Sequence, residues 1–274
     1  MAAIDPVRLF ASLLEREDSD LDLAEAALCI ALTEYPRLDT AAQLKRLDDL
    51  AALVRSDAAC SPLTNIQAMN EVLFERENFS GNEEEYDDPR NSYLNDVLDR
   101  KKGIPITLSL VYTEVARRRG LPVVGVGFPG HFLVKYLTGS SEIIIDPFHR
   151  GAILSREDCA ERLRNFFGKE VELRPEHLLA STKKQILVRM LSNLKGSYFR
   201  RQHFPKVLTL IELALAIDPA SPQEIRDRGM IYFLMRRYSD AREDFRLYLN
   251  LVSPGDPQIK EVLEVLHRLR AMVN

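Results

Sequence analysis

Cysteine is scarce in this chain. Cys29, Cys60 and Cys159 are odd in number and far apart, and neither a CxxC pair nor a Cys/His ligand cluster accompanies them. That pattern argues against a disulfide framework and a structural zinc site, and points to reduced thiols. No metal or other cofactor is expected. There is no run of about 18 apolar residues, so a membrane-spanning helix is not expected. The opening Met1-Ala2-Ala3-Ile4-Asp5-Pro6 has no basic stretch leading into an apolar one, which argues against a secretory leader. Positive charge is not in excess. A net charge of −4 and a pI near 5.8 disfavour nucleic acid or an anionic membrane as partner. The expected compartment is the cytoplasm.

What is present is ordinary globular material. The chain has 274 residues, 46% hydrophobic and 28% charged, which suits one large domain or two modest ones. From Pro6 to about Phe79 apolar residues recur at helical spacing: Leu9, Leu13 and Leu14, then Leu23, Ala27, Ile30 and Ala31. Asp39-Thr40 is the expected cap of a third helix and Ser61-Pro62 the start of a fourth. The acidic stretch Ser80–Pro89 follows. It lacks the glycine-punctuated ligand pattern of a calcium loop and reads as a solvated loop.

Beyond Asn91 the pattern changes. Gly103 and Pro105 introduce a helix apolar on most sides, with Ile106, Leu108, Leu110, Val111, Tyr112, Val115 and Ala116, which belongs in the middle of a domain. Arg117-Arg118-Arg119 suit its C-terminal end, and Gly120 supplies a left-handed stop. Val123–Phe128 and Phe132–Leu137 are β-rich and separated by Pro129-Gly130-His131. A Gly139-Ser140-Ser141 turn leads to Glu142-Ile143-Ile144-Ile145, ending at Asp146-Pro147. The expected core is a central helix with an antiparallel meander.

The last third repeats. Tyr198 and Tyr232 are 34 apart, as are Phe204 and Tyr238, Val207 and Ala241, Ile211 and Phe245, and Lys195 and Gly229. This matches tetratricopeptide spacing. Residues 259–272 read as a capping helix. Arg200-Arg201 and Arg236-Arg237 read as a solvated face rather than a basic binding surface.

The ordered blocks Asn91-Ser92-Tyr93-Leu94-Asn95, Gly103-Ile104-Pro105-Ile106-Thr107-Leu108, Gly125-Val126-Gly127-Phe128-Pro129-Gly130-His131-Phe132 and Ile145-Asp146-Pro147-Phe148 carry a resemblance. The middle segment resembles the transglutaminase-like superfamily. In that superfamily a buried helix opens with a cysteine, ends about fifteen residues later at a Gly-Ile-Pro-type turn, and is followed by strands supplying a histidine and an Asp-Pro. Gly120-Leu121-Pro122 matches the turn, His131 the histidine, and Asp146-Pro147 the aspartate. With the repeats, the chain is most similar to the SirB-type family of bacterial proteins, which join a cysteine-less transglutaminase-like domain to tetratricopeptide-like helices.

The resemblance implies an α+β fold. A helical N-terminal part and a transglutaminase-like (papain-like) core with a small antiparallel sheet would occupy residues 1–180, centred on 91–151. An all-α tetratricopeptide-like module would occupy 181–274. It also puts the nucleophile at position 105, which here is proline. In a papain-like site the thiol sits at a helix N-terminus, where the dipole and an imidazolium favour thiolate, while an aspartate orients the histidine. Proline is comfortable at that first helical position but supplies no nucleophile. His131 and Asp146 are then a vestigial pair, and the candidate pocket comprises Asn91, Tyr93, Asn95, Thr107, Phe128, His131 and Asp146.

Other features are read as structural. Gly125, Gly127 and Gly130 form a GxGxxG outside any nucleotide-binding βαβ unit. Thr107 and Ser109 lie beyond the nucleophile position, and hydroxyls early in a helix usually bond to backbone. The first expectation is a non-catalytic binding or regulatory protein whose repeats hold a protein or peptide. The alternative is a hydrolase of amide or ester bonds using His131 and Asp146 with activated water or a non-cysteine nucleophile.

Overall fold

A computed structural model of the chain describes residues 5–56, 59–139, 141–168 and 171–273. Met1–Ile4 of the opening segment and Ser140 of the expected turn lie outside the described residues. The chain forms two compact units, one of residues 16–190 and the other of residues 191–274 together with residues 7–15.

Helix α1 (Pro6–Leu14) buries Phe10, Leu13 and Leu14. The next three helices begin on side-chain caps. Asp22 accepts from the Glu25 amide at 2.9 Å at the start of α2 (Leu23–Ala31). Asp39 accepts from Ala42 at 3.0 Å before α3 (Thr40–Leu53), and Ser61 from Thr64 at 3.1 Å before α4 (Pro62–Asn70). Each cap satisfies an amide that the first turn leaves without an intrahelical partner. A π-helical turn, Glu71–Arg76, prolongs α4.

The acidic stretch opens with a two-residue strand, β1 (Ser80–Gly81), paired in parallel with β2 (Lys102–Gly103). Between them lies α5 (Leu94–Arg100), and directly after β2 comes the central helix α6 (Pro105–Arg118). Eleven of its fourteen residues are buried, from Pro105 to Ala116. Gly120 ends the segment at φ +69°, the left-handed conformation that glycine adopts without steric cost.

Four antiparallel strands follow in chain order: β3 (Val123–Val126), β4 (Leu133–Thr138), β5 (Ser141–Asp146) and β6 (Ala152–Leu154). In register, Val126 faces Leu133, Val134 faces Ile145, and Ile145 faces Ile153. The β3 strand is shorter than its pattern suggested. The Phe128 amide bonds to the Val126 carbonyl at 2.8 Å, and the chain turns before Phe128 can pair across the sheet. Helix α6 packs against β3, β4 and the 3-10 turn Pro147–His149. On the sheet, Val126, Phe128, Leu133 and Ile144 close a core with Cys159 and Leu163 of α7 (Arg156–Phe167). Ser155 and Asp158 form a reciprocal capping box at the start of α7.

The remaining helices are α8 (Lys183–Arg200), α9 (Phe204–Ile217), α10 (Pro222–Leu234), α11 (Tyr238–Leu251) and α12 (Ile259–Val273). Each consecutive pair from α9 to α12 packs together. The repeat is visible in the backbone: Gln202 and Arg236, 34 residues apart, both turn the chain at φ +59° between the helices of a pair. Phe204 and Tyr238 are the first residues of α9 and α11. Gly229 allows α10 to approach α11, because a β-carbon there would lie 2.9 Å from the Phe245 ring. Lys195, its counterpart in the first repeat, is buried against Glu224, with Nζ 2.5 Å from both carboxylate oxygens. Val262, Val265 and Leu269 of α12 cover Ile225, Phe245 and Tyr248.

Candidate functional site

Two turns of the sheet build the site. Between β3 and β4, Gly130 at φ +68° and a bond from the His131 amide to the Phe128 carbonyl at 3.1 Å make a tight corner. Arg189 of α8 clamps that corner, donating to the carbonyls of Phe128 at 3.0 Å and His131 at 2.6 Å. At the end of β5 the chain closes into the Pro147–His149 turn, in which Asp146 caps its own backbone. Its Oδ1 accepts from the amides of Phe148 at 3.1 Å and His149 at 3.3 Å. Arg150 and Gly151, at φ +55° and +74°, then reverse the chain into β6.

Asp146 is the hub. It is fully buried, and His131 Nε2 lies 3.0 Å from its Oδ1 and 3.1 Å from its Oδ2. His149 Nδ1 is 2.7 Å from Oδ2, and the Arg162 guanidinium of α7 donates to the same oxygen at 2.6 Å. Burial by itself would push the carboxyl up. Hydrogen bonds and charge from His131, then from His149, hold it well below the usual carboxylate range. The carboxylate is therefore ionised and held by donors on every side.

Because Nε2 faces Asp146, Nδ1 is the ring nitrogen of His131 left to act as a base. Among the described residues no hydroxyl or thiol hydrogen-bonds to the ring. The Phe148 ring stands edge-on to it, with centroids 5.8 Å apart, and Tyr86 packs edge-on to Phe148 at 6.3 Å. Cys159 is buried in the sheet core, and burial raises its thiol. Cys29 is bonded to the Pro6 carbonyl at 3.4 Å and pushed up to about 12 by burial, then by the charge of Glu25. Neither thiol is in a state that favours thiolate.

The other candidate residues are placed as follows. Pro105 is the buried first residue of α6. Thr107 Oγ1 accepts from the Ile104 amide at 3.1 Å and donates to the Asn91 carbonyl at 2.7 Å, which commits it to closing the helix start. The Asn91 side chain donates to the Glu85 carbonyl at 2.6 Å and accepts from Asn82 at 3.0 Å, tying the acidic loop to the core. Tyr93 is buried edge-on to Tyr35. Asn95 lines a separate cleft with Tyr35 and Asp96. Phe128 is wholly buried, and its carbonyl is an anchor for Arg189. Ser109 makes a long contact to the Phe132 carbonyl at 3.5 Å. The structure thus gathers His131 and Asp146 and distributes Asn91, Thr107 and Asn95 elsewhere. His149, Arg162, Phe148 and Arg189 were not singled out as site residues. Phe148 and His149 had a local signal, two and three residues beyond Asp146.

The helix-first core, its meander and the paired helices behind it are those of a transglutaminase-like domain followed by tetratricopeptide repeats. Comparison with known proteins agrees. The description "Transglutaminase-like superfamily" matches residues 41–192 and "Tetratricopeptide repeat" residues 194–267. A protein of Xylella fastidiosa named UPF0162 protein is 38% identical over 89% of this chain and 88% of its own length. The chain belongs to this UPF0162 family of the transglutaminase-like superfamily, in keeping with the SirB-type resemblance. Human F-box only protein 21 is 31% identical over 61% of this chain but only 28% of that protein. A crystal structure of menin aligns with TM-score 0.44 at 10% identity, covering 94% of this chain and 73% of menin, a likeness too slight to carry an argument. Among the described residues no helix is long and apolar enough to cross a membrane.

Proposed function

We propose that this chain is a non-catalytic binding or regulatory protein of the cytoplasm, in which a degenerate transglutaminase-like core accompanies repeats that hold a protein or peptide partner. The observation that supports the reading is the first turn of α6, where a buried proline stands at the position that the family resemblance assigns to the reactive cysteine and Thr107 is committed to the backbone. Without a nucleophile the histidine–aspartate pair has no covalent route, and what remains is at most weak general-base activity. The edge-on packing of Phe148 against His131 also disfavours the hydrolase alternative.

Tetratricopeptide repeats generally mediate protein–protein interaction, which supports the second half of the proposal. Within the repeat unit a cavity of about 370 Å³ is lined by apolar Phe199, Val207, Ile211 and Met230 together with charged residues such as Arg200 and Asp227, large enough for one or two side chains of a bound segment. Phe199 is 47% exposed beside it. Affinity capture with the wild-type chain, Phe199→Asp and His131→Ala tests the proposal. A specific protein retained by wild type and lost with Phe199→Asp is expected. The absence of any specific partner, or retention unchanged by Phe199→Asp, removes the repeat-binding reading. Loss with His131→Ala alone moves the binding site to the core.

A further inference from the structure

We propose that His131, Asp146 and His149 form a binding site for one divalent transition-metal ion of the zinc class. This goes beyond the reading above and is independent of whether the repeats hold a partner. The three side chains come from two separate turns, yet His131 Nε2, an Asp146 oxygen and His149 Nδ1 all lie within 4.8 Å of one another. Ligand atoms about 2.0–2.2 Å from a shared ion stand about 3 to 3.5 Å apart, depending on the coordination geometry. Here His131 Nε2 is 3.1 Å, and His149 Nδ1 2.7 Å, from Asp146 Oδ2. Small ring movements therefore open room for an ion.

The division of labour on Asp146 also favours a metal. Oδ1 is fixed by the two backbone amides of the turn, the outer support that orients a ligating carboxylate. Oδ2 accepts no backbone amide; it faces His149, shares His131 with Oδ1 at 3.1 and 3.0 Å, and already holds a cation, Arg162, at 2.6 Å. The Arg162 side chain is 30% exposed and can withdraw into solvent when an ion replaces it. The His149 side chain is 46% exposed, so the site opens to water on that side and leaves coordination positions free for solvent or a ligand. Two imidazoles with one carboxylate select zinc, cobalt, nickel, copper or iron(II) over magnesium or calcium, which prefer all-oxygen shells.

The test is titration of the chelator-treated full chain with Zn2+, and with Co2+ followed by its visible absorption. Wild type is expected to bind one equivalent, with no thiolate-to-cobalt band. His149→Ala, at a half-exposed ring, should weaken binding at least about a hundredfold, since even outer-shell partners change metal affinity by 10–100-fold. Arg162→Gln should tighten it about tenfold by removing the competing positive charge. His177→Ala, at a histidine outside the cluster, should leave it unchanged. Circular dichroism of each variant separates lost ligation from lost fold. If His149→Ala is misfolded, the direction of the Arg162→Gln change decides. No saturable binding by folded wild type, binding unaffected by His149→Ala, or weaker binding by folded Arg162→Gln overturns the proposal.

Discussion

Replacing Asp146 is the perturbation whose consequences can be followed furthest. The carboxylate accepts from five donors: His131 Nε2, His149 Nδ1, Arg162, and the amides of Phe148 and His149. In Asp146→Ala the Phe148 and His149 amides lose their acceptor, at about 1–3 kcal/mol for a buried donor left unmade. Arg162 recovers part of its hydration because it is partly exposed, so the loss falls at the lower end of the roughly 3–5 kcal/mol typical of breaking a buried charge pair. The expected total is about 3 kcal/mol. Asp146→Asn keeps an oxygen for the two amides but turns an N–H2 towards Arg162 and the imidazoles. It should cost less, about 1–2 kcal/mol.

The carboxyl is held below its ordinary value in the folded chain. Its contribution is therefore fully present above the unfolded value of about 3.9 and is lost as pH falls through the lower folded value. The part of the gap between wild type and Asp146→Asn that comes from the carboxyl should accordingly close on acidification below about pH 4. Urea denaturation across pH, with hydrogen exchange at the Phe148 and His149 amides, measures both effects. A loss under about 0.5 kcal/mol in Asp146→Ala, or a gap that widens at low pH, would refute the view of Asp146 as an ionised structural hub.

Other outcomes follow from the same geometry. Pro105→Cys sets a thiol in the first turn of α6, where the helix N-terminus favours thiolate; iodoacetamide should alkylate it, more slowly in a His131→Ala background, and equal rates in both would show that position 105 does not serve His131. Lys195→Met should destabilise the repeat unit by about 3–5 kcal/mol by stranding Glu224, and the double change Lys195→Met with Glu224→Leu should recover most of that in thermal denaturation. If the double variant is as unstable as the single one, the ion pair is not what holds α8 to α10. Gly151→Ala must bring a β-carbon within 2.1 Å of Asn70 Oδ1 at φ +74°, so a loss above about 1 kcal/mol is expected; a neutral result would mean the turn after Pro147–His149 relaxes freely.

Much of the fold was legible because its signals are local. Asp39 and Ser61 cap where they stand in sequence, Gly120 stops α6, and the 34-residue repeat brings its two pairs of helices to matching turns at Gln202 and Arg236. The elements after Asp146 were less readable. Strand β6 has three residues and pairs on one side only. Helix α7 is largely charged, and of its twelve residues it buries only Cys159 and Leu163, which leaves little periodicity to detect. In the site, His131 and Asp146 carried a family pattern, whereas Arg162 and Arg189 act from distant helices. No spacing in the sequence announces that α7 and α8 deliver guanidinium groups to the two turns. Thr107 and Asn91 were grouped with the pocket because they fall in the same sequence blocks. Their hydrogen bonds instead secure the start of α6.

An acylation assay bears most directly on the proposal that no nucleophile serves His131. The purified full chain, chelator-treated and Zn2+-supplemented in parallel, is incubated with activated ester and amide substrates. Intact-mass spectrometry then detects acyl adducts while turnover is followed beside His131→Ala. The account predicts no adduct on any side chain at the site and no difference in turnover between the two proteins. An acyl adduct that maps near His131 and disappears in His131→Ala would contradict it and make the chain an active hydrolase.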